Sequence, residues 1–378
     1  MQLAKRQQGA ALVIAMLILS LVVVFAAGMT VQYDFSMRRM TNQMQMQQAY
    51  QYLLAVESFA EKGLREDLKQ DEENDASVDK LSDLWSSYNG QQASLGDAMF
   101  RFSIYDLQGR FNLNSLSKTY TPAQGQSPPQ IPYTIEQGIF IRLLVALGDD
   151  ELPVSIAEAT AITEAVIDWL DEDSEPTGFN GCEDDAYYGI DGRTPHRTAN
   201  SAFLSVSELR LICNLPVALY ERLLPWVTVW PVTGDNTINL NTVAYLQPLA
   251  DEKDSFGDII NDSPMLRSIL MDKQTAEGLK SQIDGKTFYN VPMPISYQDA
   301  KPVIEKLTAG GYDDFATLEA DLGSLVYWPG APLGLHSDYF LLETDVLVGD
   351  LVQSLSSVIH RDDKDGKISI IARSTGGL

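Results

Sequence analysis

The chain opens with a long apolar segment. Residues 9–33 carry no charged side chain, and residues 10–31 are almost wholly apolar. About 22 apolar residues form a helix of roughly 33 Å, which is long enough to cross a lipid bilayer. Lys5 and Arg6 stand just before this segment, and positive charges beside an apolar helix stay on the cytoplasmic side. We therefore expect an N-terminal anchor with the rest of the chain exported. A removable signal peptide cut near residues 26–28 is the alternative.

A helical stripe follows the apolar segment. Apolar side chains recur at intervals of three or four residues at Leu53, Val56, Ala60, Leu64 and Leu68. This spacing is typical of one face of an amphipathic helix. No proline interrupts the stretch, so the pattern predicts one continuous helix over residues 10–69, roughly 90 Å long. A helix that runs on past residue 28 argues against removal of the apolar segment there.

Strand and helix patterns occupy separate blocks of the exported part. Residues 99–106 and 110–113 alternate apolar and polar side chains around Gln108 and Gly109, which predicts a two-stranded hairpin. The proline-rich stretch 120–134 marks a boundary, and helical patterns then extend to about residue 322. Residues 337–374 are typical of strands, with a turn at Asp365 and Gly366. This order predicts an α+β fold in which a long N-terminal helix packs on an antiparallel sheet, interrupted by a large, mostly helical insertion.

One short pattern occurs twice. Residues 111–116 (FNLNSL) and 238–243 (INLNTV) share an apolar-Asn-Leu-Asn order, and either duplication or chance explains it. Residues 205–231 predict two short helices joined by a turn at 214–216, with Ser205 and Glu208 forming a capping box. This pair resembles a helix-hairpin-helix unit. Its turn lacks the glycines and basic residues of DNA-binding versions, so it predicts a packing module.

Charge and motif content exclude several classes of function. The chain has 27 Lys and Arg against 52 Asp and Glu, a net charge of −25. Nucleic-acid binding requires basic residues that neutralise phosphates, so no nucleic-acid partner is expected. The sequence contains no phosphate-binding glycine loop, no G-x-S-x-G motif and no H-E-x-x-H motif, and its three histidines are scattered. We therefore expect no enzyme activity.

The chain has two cysteines, Cys182 and Cys213. This number excludes the paired C-x-x-C motifs of zinc and redox sites. In an oxidising compartment the two would form a disulfide that closes a loop of about 31 residues and stabilises the fold by roughly 3–4 kcal/mol. In the cytosol they would be two small core residues. The sequence alone leaves the choice open.

Carboxylates cluster between residues 168 and 185. The group consists of Asp168, Asp171, Glu172, Asp173, Glu175, Glu183, Asp184 and Asp185. Asp168 and Asp171 share a helix face, and a turn at 176–181 would fold the later carboxylates back towards them. Many oxygen ligands at flexible spacing suit Ca²⁺, although the spacing is not that of an EF-hand. A solvated acidic loop is the alternative. A second acidic stretch, residues 361–367, predicts a charged hairpin turn.

The N-terminus resembles the type IV pilin and type II secretion pseudopilin class. In that class basic residues and a glycine precede an apolar helix that runs into an amphipathic one. The resemblance implies that prepilin peptidase cuts after Gly9 and leaves Ala10 as the first mature residue. Most such subunits carry glutamate at the fifth mature position, where this chain has Ile14.

Five further motifs make the resemblance specific. DWLDEDSEP, GCEDDAYY, SVSELRLI, LPWVTVWP and INLNT occur in the order and spacing of the K family of minor pseudopilins, which also lacks the glutamate at mature position five. The resemblance implies a calcium-binding helical insertion, with Asp168, Asp171, Asp173, Glu183 and Asp184 as candidate ligands. It also implies I-, J- and H-type minor pseudopilins as partners, besides prepilin peptidase and the inner-membrane assembly platform.

These inferences combine into one domain plan. Residues 1–9 are a leader and 10–32 the membrane half of the first helix. Residues 33–116 and 331–378 form a pilin-like domain, and 117–330 the helical insertion. We expect a single-pass inner-membrane protein with a periplasmic head that caps the pseudopilus and supports export of folded proteins. The alternatives are an anchored periplasmic hydrolase and a calcium-binding module.

Overall fold

The structure is a computed structural model and describes residues 2–74, 78–117, 133–188, 195–233, 237–243, 262–282, 287–288, 290–362 and 366–375. The chain divides into two compact units. The first comprises Met1–Val56, Gln92–Arg101 and Thr344–Ser354. The second comprises Glu57–Gln91, Phe102–Glu343 and Leu355–Leu378.

The described residues contain both helices and strands. The α-helices are α1 (Gln2–Asn74), α2 (Leu84–Ser87), α3 (Ile135–Ala146), α4 (Ile156–Leu170), α5 (Asp184–Tyr187), α6 (Val217–Leu223), α7 (Pro264–Ile269), α8 (Lys273–Gln282), α9 (Tyr297–Ala309) and α10 (Phe315–Asp321). Short 3₁₀ helices span Leu113–Ser117, Val206–Leu211 and Leu224–Trp226. The strands are β1 (Gln91–Leu95), β2 (Ala98–Asp106), β3 (Phe111–Asn112), β4 (Tyr133–Thr134), β5 (Val227–Thr228), β6 (Ile238–Asn239), β7 (Leu270–Asp272), β8 (Thr287–Phe288), β9 (Leu325–Tyr327), β10 (Leu333–Gly334), β11 (Tyr339–Val348), β12 (Leu351–Arg361) and β13 (Ile368–Ser374).

Helix α1 is continuous, as the sequence predicts. From Ala10 onward it is long and apolar enough to cross a membrane, and its most apolar window of 18 residues has a mean hydropathy of 3.0 with none of it buried. Large apolar side chains between residues 12 and 35 are all more than half exposed. Burial begins at Ala49 and follows the predicted stripe through Leu64, with Leu68 half-buried.

The largest sheet has the strand order β1-β2-β11-β12-β13, and β12 and β13 are antiparallel. Helix α1 contacts this sheet in both units. In the first unit the Tyr52 ring lies 5.9 Å from that of Phe100. In the second unit the Glu57 carboxylate accepts hydrogen bonds from Ser357 Oγ at 2.5 Å and Arg373 Nη2 at 2.9 Å. The predicted α+β fold, a long N-terminal helix on an antiparallel sheet, is confirmed.

The predicted hairpin around Gln108 and Gly109 is wrong. Strand β2 forms as expected, but its sheet neighbours are β1 and β11. Residues 110–113 contain only the two-residue strand β3, which pairs in parallel with β5. An alternating pattern identifies a strand but not its partner, and a partner more than a hundred residues away leaves no local signal.

The repeated Asn-Leu-Asn pattern forms the same local structure twice. In each copy the first asparagine, Asn112 or Asn239, accepts a hydrogen bond from the backbone N–H two residues later, at 2.9 and 3.0 Å. In each copy this asparagine also lies on a short strand with a parallel partner, β3 with β5 and β6 with β10. The chain therefore contains a structural duplication.

The second asparagine of each copy holds a distant aromatic residue by its backbone. Asn114 Oδ1 accepts from Phe203 N at 2.8 Å, and Asn114 Nδ2 donates to Phe203 O at 3.2 Å. Asn241 makes the equivalent pair with Tyr312, at 2.9 Å for both bonds. Each aromatic residue precedes a capped helix by two residues, with Ser205 and Asp314 as the N-caps. A buried asparagine that mimics a strand edge satisfies both polar groups of the residue it holds.

Other predicted elements are refined by the structure. The two short helices within 205–231 form, the first as a 3₁₀ helix with the predicted capping box. The helical pattern that extends to about residue 322 is interrupted by β7, which pairs antiparallel with β9. The C-terminal strands form, but Asp365 of the predicted turn and most of the proline-rich stretch 120–134 lie outside the described residues. The domain boundaries at 116/117 and 330/331 stay predictions.

Candidate metal centre

Helix α4 builds the first side of the candidate metal centre. It begins with a capping box in which Ser155 Oγ accepts from Glu158 N at 3.2 Å and Glu158 Oε2 accepts from Ser155 N at 2.8 Å. Its last turns place Glu164 and Asp168 four residues apart and hence on one face. Both carboxylates are buried. The helix ends at Leu170, with Asp171 as an extended C-cap residue.

The loop after α4 folds back onto these two carboxylates. Asp168 Oδ1 accepts from Thr177 N at 2.8 Å. Glu164 Oε2 accepts from Asn180 N at 2.9 Å and from Asn180 Nδ2 at 3.1 Å, while Tyr133 Oη donates to Glu164 Oε1 at 2.9 Å. Hydrogen bonds between a carboxylate and backbone N–H groups are charge-assisted and strong. The loop backbone is therefore fastened to the end of α4.

Glycine at two positions lets the loop backbone come close to the Glu164 and Asp168 carboxylates. Gly178 has a φ of +65°, and a Cβ there would lie 2.1 Å from Glu164 Oε1. A Cβ at Gly181 would lie 2.3 Å from Asp168 Oδ2. Side chains at these positions would push the backbone off the two carboxylates, so glycine is required at both.

A disulfide ties the end of the loop to the following helical pair. Cys182 and Cys213 are bonded, with their Cα atoms 6.5 Å apart, and both residues are buried. Asn214 Nδ2 also donates to Asn180 O at 3.4 Å. The disulfide expected for an oxidising compartment is confirmed. It fixes the residue next to Glu183, whose carboxylate lies close to Asp168 and Asp171 at the end of α4.

Three carboxylates meet where the loop closes. Asp168, Asp171 and Glu183 each offer an oxygen, and these oxygens all lie within 4.8 Å of one another. Asp168 Oδ2, Asp171 Oδ1 and Glu183 Oε1 are buried and have no hydrogen-bond partner. A buried carboxylate oxygen without a donor is costly. Three neighbouring carboxylates that each have such an oxygen are suited to bind a cation.

The electrostatics of the group point the same way. Burial raises the pKa of Asp171 to about 6, helped by the charges of Asp173 and Asp168. Burial also raises the pKa of Glu183 to about 7, again with Asp168 and Asp171 as repelling neighbours. The pKa of Asp168 is raised by burial, against the hydrogen bonds from Thr177. No positively charged group is among the neighbours that shift these three pKa values.

Two of the five predicted ligands have other contacts. Asp173 Oδ1 accepts from Glu175 N at 2.8 Å. Asp184 Oδ1 accepts from Thr198 N at 3.0 Å and from Thr198 Oγ1 at 3.1 Å. Neither residue is part of the group of three. The donor to Asp173 lies two residues later in a local turn, whereas the donor to Asp184 lies 14 residues later, and sequence spacing reveals neither contact.

A second group of carboxylates is paired with a buried arginine side chain. Asp67, Asp71 and Asp79 also bring carboxylate oxygens together. Here the fully buried Arg361 donates to both oxygens of Asp79 at 2.6 Å and to Asp67 Oδ2 at 3.3 Å. The guanidinium supplies the positive charge that the first group lacks. Sequence reasoning missed this cluster, because Arg361 opens the stretch 361–367 that was predicted to be a charged hairpin turn.

Comparisons with known proteins agree with this architecture. The family model described as "Type II secretion system (T2SS), protein K" matches residues 109–232. The type II secretion system protein K of Pseudomonas aeruginosa is 30% identical over 371 residues, which cover 98% of this chain and 93% of the relative. The protein of the same name from Aeromonas hydrophila is 29% identical over 377 residues, covering 99% and 98%.

A solved structure shows the same fold. The structure titled "The Crystal Structure of the GspK-GspI-GspJ complex from enterotoxigenic Escherichia coli Type 2 Secretion System" contains a similar chain, with a TM-score of 0.58 and 24% identity. The match covers 90% of this chain and all of that one. The full-length relatives establish that the chain belongs to the type II secretion system protein K family, and so is a minor pseudopilin, and the solved structure shows the same fold.

Proposed function

We propose that the chain caps the tip of the type II secretion pseudopilus and nucleates its assembly with I-, J- and H-type minor pseudopilins. The exposed apolar half of α1 carries this proposal, because its side chains require lipid or partner helices to cover them. The solved relative of the same fold is in a complex named for GspK, GspI and GspJ. The large head also supports a tip position. Most of the 378 residues follow the apolar segment, and such a head would clash if it were stacked at every level of a thin filament.

The proposed maturation step removes the leader. Prepilin peptidase would cut between Gly9 and Ala10 on the cytoplasmic face, leaving α1 in the inner membrane near the assembly platform. A disulfide persists in oxidising compartments, so the bond between Cys182 and Cys213 supports a periplasmic head. The role is structural, and no catalytic step is assigned to the chain.

The intact mass of the purified protein tests the maturation step. We expect a mature chain that begins at Ala10. A start near Met29 would identify a signal peptide and would remove the anchor, and a start at Met1 would identify an unprocessed anchored protein. Either result would contradict the proposal.

Ile14 supports the tip position within the same scheme. In ordinary subunits the glutamate at the fifth mature position is thought to pair, inside lipid, with the terminal amine of the subunit above. A carboxylate without such a partner costs several kcal/mol in a membrane or must take up a proton. A subunit with nothing above it has no amine to meet, and an apolar side chain is the better choice. Ile14→Glu should therefore not increase secretion, and a clear increase would count against the tip position.

We also propose that the carboxylate group at the end of α4 binds Ca²⁺. Asp168, Asp171 and Glu183 would hold the ion, which accepts oxygen ligands in flexible geometry. Support comes from the three unpartnered buried oxygens and the raised pKa values. The bound ion would supply the missing positive charge and join the helix end to the disulfide-bonded loop.

Isothermal titration calorimetry with Ca²⁺ tests the site. Binding of one ion by the wild type that is lost in Asp171→Asn is expected, and binding unchanged in that variant would contradict the assignment.

A further inference from the structure

One apolar side chain of the head is almost completely exposed. Phe179 lies at the tip of the loop that covers the candidate metal centre, and 97% of its surface is accessible. Even Met29, in the apolar half of α1, is only 73% exposed. Full exposure of a phenylalanine leaves a large apolar surface in water, and burial of that surface is available as binding energy to a partner.

The loop around Phe179 is fixed in place. On one side Thr177 N binds the buried Asp168, and on the other Asn180 N and Nδ2 bind the buried Glu164. Two residues further on, Cys182 is held by the disulfide. The backbone therefore cannot turn the ring inward without breaking these bonds. A rigid loop that holds an aromatic ring outward loses little conformational entropy when a partner covers the ring.

The loop that carries the ring is strongly acidic, and Arg197 Nε lies 3.8 Å from Asp184 Oδ2 at its end. Residues 171–188 contain seven carboxylates and no lysine or arginine. Glu172, Asp173, Glu175 and Asp185 are exposed. A calcium ion held by Asp168, Asp171 and Glu183 would neutralise only part of this charge. Complementarity therefore requires a positively charged rim on whatever covers Phe179.

These charges distinguish between possible partners. An anionic lipid surface would be repelled by the carboxylates around the ring. A second copy of this chain, with a net charge of −25, would be repelled as well. A protein that offers an apolar pocket with lysine or arginine around it satisfies both the ring and its acidic surroundings.

We propose that Phe179 is the anchor of a docking surface for a folded protein that carries an apolar pocket rimmed by basic residues. The surface goes beyond the assembly role, because it lies on the insertion and uses none of the exposed apolar face of α1. An aromatic residue at the centre of an interface commonly dominates its affinity. Truncation of the ring should lower affinity for that partner by roughly 30-fold or more.

Photo-crosslinking in cells tests the surface with the full-length chain. A photoreactive phenylalanine analogue is placed at position 179 and, as a matched control, at Val217, an exposed apolar residue of α6 (66% accessible). We expect a protein adduct at 179 that is absent at 217, mapped by mass spectrometry to an apolar pocket flanked by lysine or arginine. Glu172→Lys with Glu175→Lys should lower the adduct yield at least tenfold. An adduct to lipid or to a second copy, or no adduct, would overturn the proposal.

Secretion by a truncation variant completes the test. Phe179→Ala should melt at the wild-type temperature, because the ring is exposed, and should still co-purify with the other minor pseudopilins. Secretion should nevertheless fall severalfold, Phe179→Trp should restore it, and Val217→Ala should leave it unchanged. Wild-type secretion by Phe179→Ala would refute the docking role. Failure of this variant to co-purify would assign the defect to assembly, which also overturns the proposal but leaves the tip function standing.

Discussion

Calcium should stabilise the head, and the carboxylates at the end of α4 should account for the effect. The perturbation is Asp171→Asn combined with Glu183→Gln, which keeps the size of both side chains and removes two of the three converging charges. Asp185→Asn is the matched control, because Asp185 is exposed in the same loop and lies outside the group. Wild type and control should respond to calcium, and the double variant should not.

The size of the response follows from linkage. An ion that binds only the folded state at a concentration of a hundred times its Kd stabilises that state by about 2.7 kcal/mol. For a large head this corresponds to an increase in Tm of about 5 °C. In the absence of metal the double variant should be at least as stable as the wild type, because it removes two buried charges. Burial, and then repulsion from neighbouring carboxylates, raises the pKa of Asp171 to about 6 and of Glu183 to about 7.

The response should also depend on pH in a defined direction. Both carboxylates bind protons more tightly in the folded metal-free state than in the unfolded chain. Metal-free stability therefore falls as pH rises from about 4 to about 7. Protons compete with calcium in the same window, so the calcium-dependent increase in Tm should be largest above pH 7 and small near pH 5.

Differential scanning calorimetry in calcium and in chelator, at pH 5 and pH 7.5, measures all of these effects. If chelator leaves the wild-type Tm unchanged at pH 7.5, the head does not bind calcium. If the double variant responds as the wild type does, calcium binds elsewhere.

Three further changes probe the rest of the head. Cys182→Ser with Cys213→Ser should lower the free energy of unfolding by roughly 3–4 kcal/mol, the loop-closure value for about 31 residues, in urea denaturation at pH 7. Asp67→Asn should flatten the pH dependence of Tm between about 4 and 7, because burial and neighbouring carboxylates raise the pKa of Asp67 to about 7 and the charged form destabilises the fold above that pH. Asn114→Ala and Asn241→Ala should each cost about 3 kcal/mol in urea, because each leaves buried backbone groups of the aromatic residue it holds without partners.

For each of these three predictions there is a result that would contradict it. Equal unfolding free energies for the oxidised wild type and the serine variant would show that the disulfide does not constrain the unfolded chain. An exposed control, Asp97→Asn, should keep the wild-type pH profile, and a flattened profile there would remove the argument from Asp67. If only one of the two asparagine variants is destabilised, the duplicated motifs do not have the same role.

The local sequence patterns correctly predicted structural features that depend only on residues close together in the chain. The stripe from Leu53 to Leu68 predicted the amphipathic part of α1, and the pair Ser205 and Glu208 predicted a capping box that the structure contains. The strand that pairs with β3 could not be predicted from a local pattern, because β5 lies more than a hundred residues away and pairs through two residues only. The repeated Asn-Leu-Asn pattern gave a signal for duplication, but not for the distant backbones that its asparagines bind.

The candidate metal centre was predicted in part. Asp168, Asp171 and Glu183 converge because α4 ends between them and the disulfide returns the loop. Asp173 and Asp184 were grouped with them as ligands implied by the family resemblance, and in the structure each accepts a hydrogen bond from a backbone N–H, that of Glu175 and that of Thr198. Whether a carboxylate accepts from a nearby backbone N–H or remains without a donor depends on loop dihedrals, which composition does not encode.

The metal centre lies in the first of the two segments that carry the repeated motif. The first copy of the motif begins at Phe111 and its parallel partner strand ends at Thr228, within the residues 109–232 matched by the family model. In this copy the chain between α4 and Phe203 contains the acidic loop and Cys182, whose disulfide partner Cys213 lies ten residues after Phe203. In the second copy only two residues separate α9 from Tyr312. The acidic loop has no counterpart of similar length before Tyr312.

Native mass spectrometry of co-expressed subunits tests the central claim most directly. The full-length chain is produced with its I-, J- and H-type minor pseudopilins and prepilin peptidase, and is then extracted in detergent. We predict a complex that contains one copy of the chain, with its mature mass beginning at Ala10, and one copy of each partner. A chain that remains alone, or that joins the partners in many copies, would contradict its assignment as the tip subunit.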